Sequence, residues 1–409
     1  MEIQPILLTL RRSKTGAILV AAQVALTLAI VCNALFVVKA RLATVDRPTG
    51  VAEDEVFQIQ YAAAGEIEDR KGMQRADLDA LRAIPGVKAA AAINSFPAST
   101  SGWGMGVDVD GKPGGEIPSG VYFSGESYVN AMGLRLIAGR DFEEGEVKEV
   151  DDRTDARVAA DVVILSRHLA RKLFKDEQAA IGKTIYQGSG KEANPMRVVG
   201  VVETLMNSSA SANDEFAQST FIWPIRYFGG TAHYAVRVSD PSDRARVMKE
   251  AEKALGAVRP DRVLINLHDM PEIKYRRYRH ERAGANMLIA VTIGLLLVTA
   301  SGIVGIASLW VSQRRKQIGV RRALGAKRRD IVRYFVTENL LITTVGVAGG
   351  VALAIGLNLF LVSKLELAKL PLHYLVGGMV AVWALGLIAV IGPAWRAASV
   401  PPAIATRSA

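Results

Sequence analysis

Four long apolar runs constrain this chain more than any other feature: Gly16 to Val38, Met287 to Val311, Phe335 to Val362 and Leu372 to Ala394. About 20 residues of helix, rising ~1.5 Å each, cross the ~30 Å hydrocarbon core of a bilayer, so each run is long enough to span. Lipid offers backbone groups no water, which makes helices the economical reading of such runs. The residues between the first and second runs are polar. The expected fold class is a membrane α-helical unit with four transmembrane helices plus an α/β extracytoplasmic domain of two lobes. No small-residue cleavage site follows the first run, so it reads as a retained anchor. Cys32, the single cysteine, lies inside that run behind the bulky Val31, which argues against a lipoprotein signal.

The expected divisions are an amphipathic helix at 1–15, transmembrane helix 1 at 16–40, the polar domain at 41–282, transmembrane helix 2 with a stalk at 283–312, a basic helix at 313–334, transmembrane helix 3 at 335–362, transmembrane helix 4 at 372–395 and a tail at 396–409. Ala21, Ala25 and Ala29 form a row of small residues, as do Ser301 with Gly305 and Gly346 with Gly350; such rows let helices approach closely.

The formal net charge is +10, and the basic clusters flank apolar runs. Topology therefore accounts for the excess, and with no DNA- or RNA-binding motif present a nucleic-acid partner is not expected. Between Gln313 and Leu340 lie nine basic residues: Arg314, Arg315, Lys316, Arg321, Arg322, Lys327, Arg328, Arg329 and Arg333. A short loop this basic between two spans belongs in the cytoplasm. Ile318, Ala323, Leu324 and Ile331 recur among the charges at helical intervals, and Gly325 can mark a break. A helix of this kind lies on a membrane or docks into a groove on a partner protein. The basic run Lys274 to Arg282 ahead of the second span opposes the charge rule, which long translocated domains override.

In the polar domain, strand-like runs at Val56–Tyr61, Val87–Ile93, Val162–Leu165, Met196–Val202, Thr220–Trp223 and Tyr234–Val238 alternate with helix-like runs at Arg75–Ile84, Ser166–Phe174 and Asp243–Leu255. The Gly- and Ser-rich stretches Ser101–Gly106 and Asn207–Asn213 read as mobile loops. Catalytic signatures are missing from the sequence. Ile181-Gly182-Lys183-Thr184 resembles a phosphate loop, but the required first glycine falls on Glu177, so it reads as a turn leading into a strand. The five histidines, His168, His233, His268, His280 and His373, show no metal-ligand spacing, and no HExxH or GxSxG occurs. Catalytic, metal and cofactor residues are all expected to be none. Glu338 is the one acid inside an expected span; near the membrane interface, pairing with a nearby arginine is its ordinary reading.

One span, a large outer domain and three further spans around a basic loop resemble the MacB/FtsX-type permeases of ABC transporters. Arg315 through Ala326 is similar to the family's R-K-E-I-G-[IV]-R-[RK]-A-[LI]-G-A signature, with Gln317 in place of the usual glutamate. Glu338, the Gly346/Gly349/Gly350 cluster and Gly392 to Ala398 match further permease patterns. Tyr128 to Phe142, Val163 to Phe174, Ile181 to Thr184 and Arg197 to Val202 follow the order of a MacB-like periplasmic core.

The resemblance implies a permease subunit, not an enzyme, that transmits ATP-driven motion to its outer domain and supports export of a substrate handled outside the membrane. It implies a multi-pass protein of the cell inner membrane, with both termini cytoplasmic and the large domain periplasmic. The implied partners are an ABC ATPase subunit on a separate polypeptide, which holds the ATP and Mg, a second permease chain, membrane lipid, and with them a periplasmic adaptor and outer-membrane channel. Lys316, Gln317, Ile318, Gly319, Arg321, Arg322, Ala323, Leu324 and Gly325 would couple to the ATPase, and Glu338 would sit at the membrane interface. The alternatives are an FtsX-like regulator that switches a periplasmic partner such as a cell-wall hydrolase, and a membrane sensor without an ATPase.

Overall fold

The computed structural model describes residues 14–99, 101–155, 159–190, 193–208, 217–365 and 369–399. The expected amphipathic helix at 1–15 and the tail beyond 399 lie outside or almost outside them, as does most of Asn207–Asn213. The chain forms two compact units, Val45–Arg279 and the remainder.

The outer unit begins with strand β1 (Val56–Ala63), helix α2 (Arg70–Arg82) and strand β2 (Val87–Ala92), and it ends with β12 (Thr231–Val238), helix α6 (Arg244–Val258) and β13 (Arg262–Asp269); α1 is the first span, Lys14–Val45. These four strands form an antiparallel sheet in the order β13-β1-β12-β2, the split β-α-β arrangement of ferredoxin-like folds. Alternation explains it. Phe57, Ile59 and Tyr61 of β1 point at the helices and pack with Leu78, Leu81, Val247 and Leu255, while Gln58 and Gln60 point away. Asp69 caps α2 by accepting from the Gly72 amide at 2.7 Å. Beneath the helices Asp77 and Arg262 form an ion pair whose side chains are 0% and 1% exposed.

Everything from residue 93 to 230 is inserted between β2 and β12. Its strands are β3 (Trp103–Asp108), β4 (Ile117–Phe123), β5 (Leu136–Gly139), β6 (Lys148–Asp151), β7 (Val162–Ser166), β8 (Thr184–Gln187), β9 (Asn194–Val202), β10 (Thr220–Trp223) and β11 (Ile225–Phe228). Short helices α3 (Tyr128–Met132), α4 (Arg167–Phe174) and α5 (Glu177–Ala180) connect them. Seven strands run in the order β5-β9-β7-β10-β4-β3-β8, and β8 pairs back onto β9, so the six strands from β9 to β8 close into a ring with β5 attached beside β8 on β9. Closure removes the free edges of those six strands, while β5 pairs with β9 alone. Trp223, Phe221, Phe123 and Met196 fill the interior; truncating any one of the three aromatics to alanine would cost about 3–5 kcal/mol.

Ser101–Gly106 is not the mobile loop its glycines suggest. Trp103–Asp108 is a strand held on one side by β4 and on the other by β8, so tertiary pairing overrides weak intrinsic preference. The phosphate-loop look-alike is a turn, with Gly182 at φ +78° leading into β8.

Among its described residues the second unit holds four helices long and apolar enough to cross a membrane: α1 (Lys14–Val45), α7 (Met270–Gln313, whose first turns belong to the outer unit), α9 (Arg328–Leu365) and α10 (Leu372–Ala398). A nine-residue helix, α8 (Arg315–Ala323), lies between α7 and α9. The small-residue rows meet: a Cβ added at Gly346 would lie 2.7 Å from the Ala21 carbonyl, and one at Gly350 3.0 Å from the Ala25 Cα. Bare backbone there lets α9 press against α1. Polar side chains tie the same helices. Thr27 and Thr299 share a hydrogen bond of 2.7 Å, Asn33 donates to the Ala354 carbonyl at 3.1 Å, and Asn339 to the Gly386 carbonyl at 2.9 Å. At the other end of α1, Arg41 pairs with Glu281 at 2.7 Å.

Candidate functional site: the basic segment between helices

The expected single helix over 313–334 is two helices joined by a turn. α8 ends at Ala323 in a Schellman arrangement. The Ala326 amide donates to the Arg321 carbonyl at 3.0 Å and the Gly325 amide to the Arg322 carbonyl at 3.1 Å, with Gly325 at φ +98°. A side chain at that φ would be strained, so the glycine is what lets the chain reverse. Asp330 then starts α9 by accepting from the Lys327 amide at 2.9 Å.

This turn sorts the apolar residues. Ile318 and Ile331 are buried, packed with Val311, Phe335, Ala394, Ala397 and Ala398 of the same chain. They hold α8 down and are not presented outward, which corrects the expectation of one stripe running from Ile318 to Ile331. Gly319 is buried with them. Leu324, the capping residue of the turn, is 83% exposed, and Val320 is half exposed. Lys316, Gln317, Arg321 and Ala323 are also exposed.

Two arginines anchor the segment. Arg314, at the break between α7 and α8, donates from one Nη to both Glu338 oxygens at 2.9 and 2.8 Å, and Glu338 is 1% exposed. Arg333, one turn before Glu338, is exposed and is not the partner. Arg322 donates to the Ala398 carbonyl at the end of α10, at 3.0 Å. Arg321 lies over the Tyr334 ring, 5.1 Å from its centre. Together α8, the turn and the first turns of α9 enclose a hollow of about 460 Å³ lined by Gln317, Arg321, Leu324, Asp330 and Tyr334 among others. Sequence reasoning singled out Leu324 and Gly325 but not Arg314 or Tyr334. Arg314 meets a carboxylate 24 residues further on, a separation no helical period reveals.

Among the described residues no group of three or more His, Cys, Asp or Glu side chains could hold a metal. What the segment can do is chemical only in the sense of recognition: exposed cations and one large aliphatic side chain on a rigid turn suit an acidic, grooved protein surface.

The MacB-like periplasmic core domain family matches residues 18–254, and the FtsX-like permease C-terminal family matches residues 289–402, which include the basic segment. The macrolide export ATP-binding/permease protein MacB of Chromobacterium violaceum is 29% identical over 258 residues, covering 59% of this chain and 36% of that protein. The pyoverdine export ATP-binding/permease protein PvdT of Pseudomonas fluorescens is 30% identical over 260 residues, covering 62% and 39%. The chain thus spans well under half the length of these relatives. The extracellular domain of the noncanonic ABC-type transporter YknZ from Gram-positive bacteria is similar over 52% of this chain and 100% of its own, at 16% identity and a TM-score of 0.32. Two family matches that between them run from the first span to the end of the last place the chain: it belongs to the ABC transporter permeases with a MacB-like periplasmic core domain and an FtsX-like permease region.

Proposed function

We propose that this permease transmits the motion of a cytoplasmic ATPase to its own outer domain and so supports export of a substrate handled outside the inner membrane. The carrying observation is the exposed Leu324 on a glycine-capped turn. The turn is tied to α9 through Arg314–Glu338 and to α10 through Arg322. Displacement of Leu324 would therefore be felt by three spans at once. ATP and Mg belong to the ATPase; in this chain Lys316, Gln317, Arg321, Arg322, Ala323 and Gly325 frame the docking side chain, while Ile318 and Gly319 support it from within. The nine cations support a cytoplasmic loop, and with it cytoplasmic termini and a periplasmic outer unit. A second permease chain is the partner suited to the exposed aliphatic side chains of α7, among them Ile293, Leu297 and Leu309, with lipid covering the rest. The relatives' names extend to an export role, with macrolides and pyoverdine as their cargoes.

The test is reconstitution with the cognate ATPase in nanodiscs. Leu324→Asp should reduce permease-stimulated ATP hydrolysis by about tenfold or more, a loss of ~1.4 kcal/mol in coupling, without changing thermal unfolding of the permease. Unchanged stimulation in a folded Leu324→Asp protein would sink the proposal.

A further inference from the structure

The face of the four-stranded sheet turned away from α2 and α6 is apolar where Val56, Ala91 and Ala235 pack into a core, but a polar part of it floors a cleft of about 290 Å³ within the outer unit. That volume is near the lower end of small-ligand pockets, about 300 Å³. The floor consists of Gln58 and Gln60 on β1, His233 on β12, and Asn266 and His268 on β13. Gln60 stands directly across from both His233 and Asn266, and Gln58 across from His268. The Asn266 amide donates to the Gln60 carbonyl at 2.7 Å, and His233 Nε2 bonds the Gln58 amide at 2.8 Å. Each pairing uses one end of a side-chain amide and leaves the other facing the cleft.

Three further observations bear on a ligand. Ser95 lines the cleft, is 3% exposed, and its Oγ has no hydrogen-bond partner among the described residues. A buried hydroxyl left in that state is costly, so it marks a place where a partner fits. Ala98, beside it, sits at φ +57°, a backbone setting that residues other than glycine rarely adopt away from functional loops. Arg276 and Arg277 of α7 stand at one end, where Glu272 pairs with Arg276 and faces His268. Burial lowers His233 to about 4, so that side chain is neutral near pH 7, and Arg276 and Arg277 bring fixed positive charge to the cleft.

Positions two apart on a strand repeat every ~6.6–6.8 Å, which is also the repeat of like-facing amides along an extended peptide. Gln58 and Gln60, and Asn266 and His268 beside them, present that repeat as donors and acceptors. Among the described residues lining the cleft there is no Phe, Tyr or Trp to stack on a sugar. We propose that this cleft binds a short peptide in extended form, with its C-terminal carboxylate at Arg276 and Arg277. The proposal does not rest on the coupling role of the basic segment.

The full chain in nanodiscs, probed by saturation-transfer NMR with trialanine, tests it. Trialanine methyl signals should saturate, and trialanine with its C-terminus amidated should bind about tenfold more weakly. Gln60→Leu and Gln60→Glu should each weaken binding by about tenfold with unfolding midpoints unchanged, the first by removing an amide and the second by repelling the carboxylate; Gln60→Ser serves if either fails to fold. Failure of trialanine to saturate at millimolar concentration overturns the proposal. So does equal binding of the amidated peptide, an equal response in folded Gln60 variants, or saturation by glucuronate alone, which would make this a sugar-acid site.

Discussion

Among the described residues, each unit holds an arginine paired with a buried carboxylate, Arg262 with Asp77 and Arg314 with Glu338, and the two pairs are surrounded very differently. In the outer unit Asp77 receives Arg262 at 2.8 Å and also the Tyr234 hydroxyl at 2.7 Å, while Arg262 donates to the Leu255 carbonyl at 2.7 Å and lies 5.1 Å from the Tyr61 ring. Burial, and then the Asp77 carboxylate, push the Tyr234 phenol well above its usual range, so it stays a donor. In the membrane unit a single Nη of Arg314 serves both oxygens of Glu338, with the Trp310 ring 5.8 Å from the guanidinium. The first pair joins α2 to β13 by several independent bonds, which suits a fixed part of a core. The second joins the end of α7 to α9 through one nitrogen, at the residue where the helix breaks. A joint of that kind can hold two helices together and still pivot.

The largest effect expected from this contrast is on stability. Asp77→Ala leaves Arg262 buried without its counter-charge and should cost the outer unit about 3–5 kcal/mol, read by denaturant unfolding of the full chain. Glu338→Gln keeps an acceptor for Arg314 and should cost less, about 1–3 kcal/mol, yet lower ATPase stimulation disproportionately. The contrast breaks if Glu338→Gln destabilises as much as Asp77→Ala while coupling survives. It sharpens if the exchange Arg314→Glu with Glu338→Arg restores coupling that either single change removes.

A pH series probes the outer unit, where both groups that set its windows lie. His233 is lowered by burial to about 4 from its ordinary value of 6.5. Between those values the unfolded chain binds more protons than the folded one, so outer-unit stability falls as pH drops through that window, by at most ~1.4 kcal/mol per pH unit. Below it, the Arg140 guanidinium, which holds Glu146 down at about 2, adds stability that is lost as pH falls from 4.5 toward 2. His233→Gln should flatten the upper window and leave the lower one; a profile unchanged by that substitution would show that His233 is not its source.

Much of the architecture was legible because its causes are local. Four apolar runs are visible to any hydropathy scan, and strands such as Val162–Ser166 and Thr220–Trp223 are dense in β-branched and aromatic residues. The closed ring was not legible. It depends on β8 pairing with both β3 and β9, and β3 carries two glycines that read as loop. At the basic segment, composition drew attention to the residues proposed here to dock, and Gly325 marked the break, but helical spacing alone cannot tell an exposed apolar residue from one, like Ile318, that faces its own chain. The insertion of residues 93–230 between two strands of one sheet was hidden for the same reason as Arg314–Glu338: long-range pairing leaves no mark in a single sequence.

The smallest predicted effect tests whether the membrane unit's polar contacts differ in kind from those outside. Thr27 and Thr299 are both fully buried and share one hydrogen bond. Thr27→Val keeps the shape and removes a hydroxyl. In the outer unit a lost buried hydrogen bond is measured against an unfolded chain solvated by water, whereas helices separated within lipid find other partners, and such bonds average about 0.6 kcal/mol. Thr299 also donates to the Leu295 carbonyl of its own helix at 2.8 Å, so it is not stranded when Thr27 is replaced. Thr27→Val should therefore lower stability in mild detergent by no more than about 1 kcal/mol, and Thr27→Val with Thr299→Val by little more. A loss of several kcal/mol in the single variant would mean that this pair, like Asp77–Arg262, is a fixed part of a core, and that the membrane helices are locked together rather than held by many weak contacts.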